Sequence, residues 1–366
     1  MDLLTLAWLI VGVILLVFGA EWLVKGASSI ATKLGVAPIV VGLTVVAFGT
    51  SAPELAVSVS GAISGNADVA LGNVVGSNTF NVLMILGLSA AVSGLSINQR
   101  LLRFDIPVLV LITVVVYLLA LNGSVGRLEG VGLFVGVIVY IGWLLRGATK
   151  TESSQVQTEY QSALDEVEGR TFSMSLTFQI GLVIVGLSLL VVGSQLLVNS
   201  ATEIASALGV SDLVIGLTVV AAGTSLPELA TSVMAAVRGQ RDIAVGNAVG
   251  SNIFNLLSVL GASAAISSNG ISVNDEVIRL DYPVMLAATV LLLPICWNGF
   301  MVKRWEGAVL VAFYVAYVAY LVMEAGESSA PELYRTAMLI IVPLVMAVYG
   351  AAGFQGWRKH RAAQRA

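Results

Sequence analysis

Two stretches of this chain carry nearly the same long apolar text. Gly42 opens GLTVVAFGTSAPELAVSVSGAISGNADVALGNVVGSNTFNVLMILGLSA, and Gly216 opens GLTVVAAGTSLPELATSVMAAVRGQRDIAVGNAVGSNIFNLLSVLGASA. They align without a gap at a constant offset of 174, with roughly two-thirds of positions identical. Each copy holds GTSxPEL and then GNxVGSNxFN, and each has a single carboxylate deep in its apolar part, Glu54 or Glu228. An ionisable side chain at the bilayer centre costs at least ~2.5–3.5 kcal/mol on insertion scales, and such residues face a pathway or a partner. Chance accounts for one such residue; the same carboxylate at the same place in two copies marks a site.

Composition gives the setting. The 366 residues are 57% apolar and 11% charged, whereas a soluble domain carries about 25% charged residues. With a mean hydropathy of +0.94, this is the composition of an integral membrane protein. The apolar runs have the length of spanning helices, about 20 residues, rather than of ~10-residue barrel strands. Cys296 is the only cysteine, so no disulfide forms within the chain, and the single histidine, His360, lies in a basic tail. That argues against a His-based transition-metal site. The N-terminal MDLLTLAW lacks a basic region, so the first span is read as permanent rather than as a cleaved signal.

Eleven spans are expected, near 3–24, 36–63, 69–93, 104–121, 128–146, 174–198, 211–237, 243–267, 278–297, 305–323 and 337–356. The polar stretch from Lys150 to Arg170 reads as a linker between halves. The repeat reaches beyond the motifs: Gly19 matches Gly193, Arg103 to Pro107 matches Arg279 to Pro283, and Asn122-Gly123 matches Asn298-Gly299. The fold expected is an all-α integral membrane protein. Residues 1–147 form a first five-helix repeat, 148–172 a cytoplasmic linker and 173–324 a second five-helix repeat, with an extra helix and basic tail over 325–366. An odd number of spans per half makes the second half enter from the opposite side. The ten-helix core is then an inverted (5+5) repeat, an architecture of secondary transporters with the site at the midplane. Charge supports the same topology. With the N-terminus outside, fifteen of the eighteen Lys and Arg fall on the side of the linker and tail, leaving Arg127, Arg279 and Arg335 opposite. The location expected is the plasma (inner) membrane, with linker and tail cytoplasmic.

The chemistry follows from the motifs. Pro53 and Pro227 have no N–H, so the carbonyls of Gly49 and Gly223 lose their helical donors and the helix breaks or kinks there, eased by the two glycines. Freed carbonyls in lipid need something to satisfy them, and a cation can do so. The half-helix end offers carbonyls near Ala47 and Thr50, the hydroxyls of Thr50 and Ser51 and the carboxylate of Glu54. Ala221, Thr224, Ser225 and Glu228 repeat the set. Hard oxygen ligands select Ca²⁺, Mg²⁺ or alkali ions, and two carboxylates balance one Ca²⁺. Ser77 and Asn81, repeated as Ser251 and Asn255, lie four residues apart on one helix face and offer neutral oxygens suited to monovalent ions. Plainer roles compete for other residues. The glycines Gly42, Gly72, Gly76 and Gly87 read first as helix-packing residues. Asn73, Asn78, Asn247 and Asn252 divide between helix–helix hydrogen bonding and coordination. Asp105 and Asp281 read as interfacial caps or ion-pair partners, Glu21 (with Gln195 as its counterpart) as interfacial, and Asp68 and Asp242 as helix-start residues.

At these residues the sequence resembles the paired alpha-repeats of the cation/Ca²⁺ antiporters, specifically the prokaryotic sodium/calcium exchangers. The likeness covers about ten spans. It implies an exchanger with a ten-helix inverted-repeat core, in which the first long helix of each half slides past a central site. It also implies Ca²⁺ held by Glu54, Glu228 and the backbone of Thr50 and Thr224. Na⁺ would use these groups with Ala47, Ser51, Ser77, Asn81, Ala221, Ser225, Ser251 and Asn255. Asn255 stands where several relatives, the K⁺-dependent ones among them, have Asp, which argues against K⁺ dependence. The eleventh span is an addition to that core.

The expected function is Na⁺/Ca²⁺ antiport by alternating access. Ca²⁺, Na⁺ and the lipid bilayer are the partners expected, with no cofactor, no nucleic acid and no obligatory protein partner. An H⁺/Ca²⁺ antiporter on the same scaffold is the alternative, since protons can neutralise the same carboxylates. A Ca²⁺ channel is disfavoured by the internal repeat. An enzyme is disfavoured by the lack of a nucleophile motif, a second acid–base partner or a His/Cys cluster.

Overall fold

In lipid a chain must satisfy its own backbone, and the apolar runs do so as helices. A computed structural model describes residues 3–64, 68–148, 175–208, 221–275, 277–297 and 299–325. Nearly all of the expected linker, the first part of the span at 211–237, and the eleventh span with its tail lie outside the described residues. The first half comprises α1 (Leu3–Leu34), α2 in two arms (Pro38–Thr50 and Ala52–Ile63, bent by 45°) and α3. Helix α3 runs Asp68–Phe80, passes through a π-helical turn at Asn81–Ile85, and continues as Leu86–Ser93. Then come α4 (Leu101–Ala120) and α5 (Arg127–Ala148). The second half comprises α6 (Leu176–Ala207), α7 (Ala221–Gly223 and Leu226–Val237), α8 (Arg241–Ile266), α9 (Val277–Trp297) and α10 (Arg304–Ala325). Eight of these are long and apolar enough to cross a membrane, and the bent α2 adds a ninth.

Helices α1 and α6 outrun their expected ends near 24 and 198. Each has 32 residues, about 48 Å at 1.5 Å per residue, against a hydrocarbon core of about 30 Å. Such helices tilt or protrude. Hydropathy falls after Trp22, yet Gly26, Ala27 and Ala31 remain buried, and packing carries the helix on where apolarity alone stops. The two helices lie against each other along a glycine ridge. A Cβ added at Gly12 would come within 2.9 Å of the Gly193 carbonyl oxygen, at Gly19 within 2.9 Å of that of Gly186, and at Gly26 within 2.9 Å of that of Gln179. The numbers rise on one helix as they fall on the other, so the pair is antiparallel.

Helices α3 and α8 form the centre: most of their apolar residues are buried inside the protein, whereas most of those of α1 and α6 are not. The peripheral helices turn Trp8, Ile14, Phe18, Phe178 and Ile184 outward, a lipid-facing surface. Two short antiparallel sheets tie the halves together: β1 (Leu95–Ser96) pairs with β4 (Met301–Val302), and β2 (Ser124–Val125) with β3 (Ile271–Ser272). Beside each, an arginine caps the carbonyl end of a central helix from the other half. Arg304 Nε donates to the Ala91 carbonyl at 2.9 Å, and Arg127 Nε to that of Ala265 at 3.2 Å.

The acidic residues outside the motifs differ partly from expectation. Asp105 is fully buried and accepts from the Tyr140 hydroxyl at 3.0 Å rather than capping its helix; Asp281 accepts from Tyr317 at 2.6 Å. Each tyrosine comes from the following helix, a partner that sequence proximity does not reveal. Glu21 pairs with Arg238, joining α1 to the end of α7. Asp68 opens α3, and Asp242 lies in the first turn of α8.

Candidate cation site

Pro53 and Pro227 set the two breaks. Each lacks the N–H that would reach four residues back, and each sits in the first turn of a new arm, where that donor is not needed. The chain turns at Ser51 (φ −81°, ψ 5°) and Ser225 (φ −91°, ψ 9°). Glu54 and Glu228 follow in the first turn of the new arm, the end of the dipole that favours a carboxylate. Gly49 and Gly223 lie before the turns without left-handed backbone; what they provide is room. A Cβ on Gly49 would sit 2.7 Å from Leu187 Cδ1, and one on Gly223 would overlap Val198 Cγ2, both on α6.

The halves interlock through these turns. The Ser51 hydroxyl donates to Glu228 Oε1 at 2.9 Å, and the Ser225 hydroxyl to Glu54 Oε1 at 2.9 Å. Thr50 Oγ1 lies 3.1 Å from Asn247 Oδ1, and Thr224 Oγ1 3.3 Å from Asn73 Oδ1. Asn73 donates to the Glu54 carbonyl at 3.3 Å and to Ser58 Oγ at 2.9 Å; Asn247 donates to the Glu228 carbonyl at 3.2 Å and to Ser232 Oγ at 2.9 Å. Deeper along α3 and α8, Asn81 Nδ2 donates to Asn252 Oδ1 at 3.0 Å and Asn255 Nδ2 to Asn78 Oδ1 at 3.2 Å. The two-fold pattern read from sequence is thus a two-fold pattern of hydrogen bonds.

Of the residues singled out by sequence, Ala47, Thr50, Ser51, Glu54, Ser77, Asn81, Ser225, Glu228, Ser251 and Asn255 are all buried. Thr224 is half-buried, and Ala221 begins the described part of α7. The threonine hydroxyls are engaged by Asn73 and Asn247. The Ala47 carbonyl accepts from the Ser51 N–H at 3.0 Å, whereas the Ser225 N–H bonds Ala222 at 3.2 Å. In the second half alone, the Gly223 carbonyl accepts from the Ser194 hydroxyl of α6 at 2.6 Å; the corresponding position in α1 is Ala20, which has no donor. Ser58 and Ser232 escaped sequence reasoning. They lie four residues beyond each glutamate in both copies, and that spacing was the available signal.

What remains unpaired defines the chemistry. Among the described residues, Glu54 Oε2, Glu228 Oε2, Asn81 Oδ1, Asn255 Oδ1 and Ser251 Oγ are buried without a hydrogen-bond partner. A buried polar atom left so costs about 1–3 kcal/mol, more if charged. Among the described residues neither glutamate is in an ion pair, and these residues hold no group of three or more His, Cys, Asp or Glu placed to bind a metal ion. A set of hard oxygens, chiefly acceptors and carrying two carboxylates, suits a small hard cation.

Comparison with known proteins agrees in kind. Residues 4–146 and 178–323 match the family model for sodium/calcium exchanger protein. Putative antiporter CaxA of Alkalimonas amylolytica is 38% identical over 85% of this chain and 96% of its own length. Sodium/calcium exchanger MaX1 of Methanosarcina acetivorans is 36% identical over 86% and 97%, and inner membrane protein YrbG of Escherichia coli 34% identical over 87% and 97%. The solved structure of the sodium-calcium exchanger NCX_Mj, soaked with zero Na⁺ and Ca²⁺, superposes with a TM-score of 0.74 at 30% identity, covering 88% of this chain and all of that one. With its apolar helices, this is a multi-pass membrane protein, and it belongs to the sodium/calcium exchanger protein family.

Proposed function

We propose that this chain is a secondary transporter that expels Ca²⁺ from the cell in exchange for Na⁺. The observation that carries the reading is the pair of cross-linked carboxylates: each glutamate takes one hydroxyl from the opposite half and keeps a second oxygen, buried and unpaired. Ca²⁺ is held by Glu54 and Glu228 with the backbone carbonyls of Thr50 and Thr224. Na⁺ uses these groups with Ala47, Ser51, Ser77 and Asn81 in one half and Ala221, Ser225, Ser251 and Asn255 in the other. One Ca²⁺ or several Na⁺ neutralise the two carboxylates, so occupancy is mutually exclusive. Without either, two charges stay buried at a cost of several kcal/mol, which disfavours switching with an empty site and makes exchange obligatory. The relatives named sodium/calcium exchanger support Na⁺ as the counter-ion.

The scaffold in this reading is a ten-helix inverted (5+5) core with one further C-terminal span. The N-terminus lies outside, and the linker and tail are in the cytoplasm, in the plasma (inner) membrane. The antiparallel α1 and α6 and the cross-half strand pairs are consistent with it, because inversion brings each paired set of loops to one side. With Asn255 rather than Asp at the end of the second motif, exchange is K⁺-independent.

Uptake of radiolabelled Ca²⁺ into proteoliposomes tests the coupling. Vesicles loaded with Na⁺ and diluted into Na⁺-free buffer at equal pH accumulate Ca²⁺, with or without K⁺. Uptake that ignores Na⁺ and follows an imposed pH gradient overturns this in favour of proton exchange, and flux independent of both gradients points to a channel.

A further inference from the structure

Four buried asparagines meet where α3 and α8 cross, and their hydrogen bonds have a direction. The Asn252 backbone carbonyl can only accept, so the atom of Asn78 that lies 3.4 Å from it is the amide nitrogen. That fixes the Asn78 amide and turns its oxygen toward Asn255. An acceptor must meet a donor, so Asn255 presents Nδ2 to it at 3.2 Å and is left with Oδ1 buried and unpaired. Across the pseudo-two-fold axis, Asn81 Nδ2 donates to Asn252 Oδ1 at 3.0 Å, and Asn81 Oδ1 is likewise buried and unpaired. Asn81 and Asn255 also begin matching π-helical turns, which set both side chains at equivalent places on the two central helices.

The two ends of a side-chain amide have nearly the same shape and opposite polarity. Left to itself, such a group turns either its oxygen or its N–H₂ toward an ion, and only the oxygen binds a cation. We propose that Asn78 and Asn252 are positioning residues that hold the amides of Asn255 and Asn81 with their oxygens facing the ion site, and so set its affinity for Na⁺. This rests on the assignment of Asn81 and Asn255 as Na⁺ ligands. It gives Asn78 and Asn252 a role beyond joining two helices: they touch no ion and determine which end of another side chain does.

A carboxylate has an oxygen on each arm and needs no such orientation, which provides the test. Equilibrium binding of radiolabelled Na⁺ and of Ca²⁺ to the purified full-length protein is measured for Asn252→Ala and Asn78→Ala. Each is made alone and with the ligand change that removes the need for orientation: Asn81→Asp for the first, Asn255→Asp for the second. In the wild-type background each alanine variant weakens Na⁺ binding about tenfold, a loss of about 1.4 kcal/mol, and Ca²⁺ binding less than about twofold. In its aspartate background the same alanine changes Na⁺ binding less than about twofold. Equal Na⁺ losses in both backgrounds, equal losses for Na⁺ and Ca²⁺, or no loss at all each overturn the proposal. The two alanine variants sit on different helices, so misfolding of one leaves the other to decide. Wild-type protein that binds no Na⁺ overturns this proposal together with the Na⁺ reading; wild-type binding that the alanine variants leave unchanged overturns this proposal alone.

Discussion

A methyl group at Gly186 probes the contact that holds the two long helices together. A Cβ there would lie 2.7 Å from the Leu23 nitrogen, 2.8 Å from the Gly19 carbonyl oxygen and 3.0 Å from the Leu23 Cα. All three are backbone atoms, so no rotamer change relieves the clash. Favourable carbon contacts lie at about 3.5–4.0 Å, so α1 and α6 must part by something approaching 1 Å. Overpacking of this kind costs about 1–3 kcal/mol. Replacing Gly by Ala within a helix returns about 0.5–1 kcal/mol, and Gly132→Ala calibrates that gain, since Gly132 is exposed on α5 and, apart from its own stretch of helix, no atom of the described residues lies within 4 Å of its Cβ position. Reversible unfolding in mixed micelles, followed by tryptophan fluorescence, is predicted to place Gly186→Ala about 1–3 kcal/mol below Gly132→Ala. Gly19 opposes Gly186, its own Cβ position 2.9 Å from the Gly186 carbonyl oxygen. Adding Gly19→Ala then costs less than it does alone, because the helices have already separated. Equal stability of Gly186→Ala and Gly132→Ala, or strictly additive losses at 19 and 186, refutes a backbone-to-backbone contact.

Two further predictions use the same unfolding assay. Ser194→Ala removes the donor to the Gly223 carbonyl and is expected to destabilise by about 1–3 kcal/mol, the cost of a buried acceptor left unpaired; an unchanged stability means that another donor serves that carbonyl. The Glu21–Arg238 pair is partly exposed, so Glu21→Gln is expected to cost only about 0.2–1 kcal/mol. The exchange Glu21→Arg with Arg238→Glu restores it, and no coupling in the double-mutant cycle removes the pair as a link between α1 and α7.

The features legible from sequence were those that the chain repeats or that a single residue dictates. Doubling of the motif pointed to a two-fold site, and Pro53 and Pro227 dictated where helices α2 and α7 turn. Glu54 and Glu228 stood out because a carboxylate in an apolar run demands a reason. What escaped depends on partners distant in the chain. Asp105 reads as a cap or an ion-pair partner until Tyr140 arrives from the next helix to donate to it. The full length of α1 was hidden because its last turns are held by packing of small residues. Ser58 and Ser232 look like ordinary packing residues until Asn73 and Asn247 reach them. The π-helical turns at Asn81 and Asn255 have no local sequence mark. The difference between Ser194 and Ala20 is visible in the sequence, but its meaning needs the Gly223 carbonyl beside it.

The central claim is that Glu54 and Glu228 form one site which Ca²⁺ and Na⁺ occupy in turn. Equilibrium Ca²⁺ binding to purified protein, titrated with Na⁺ and repeated with Glu54→Gln and Glu228→Gln, tests it most directly. The prediction is one Ca²⁺ per chain, displaced competitively by Na⁺ with a steep Na⁺ dependence. Each variant is predicted to bind Ca²⁺ at least about a hundredfold more weakly, as follows from losing about 3 kcal/mol or more when one partner of a buried charge set is removed. Wild-type affinity in either variant, or Ca²⁺ that Na⁺ does not displace, contradicts it.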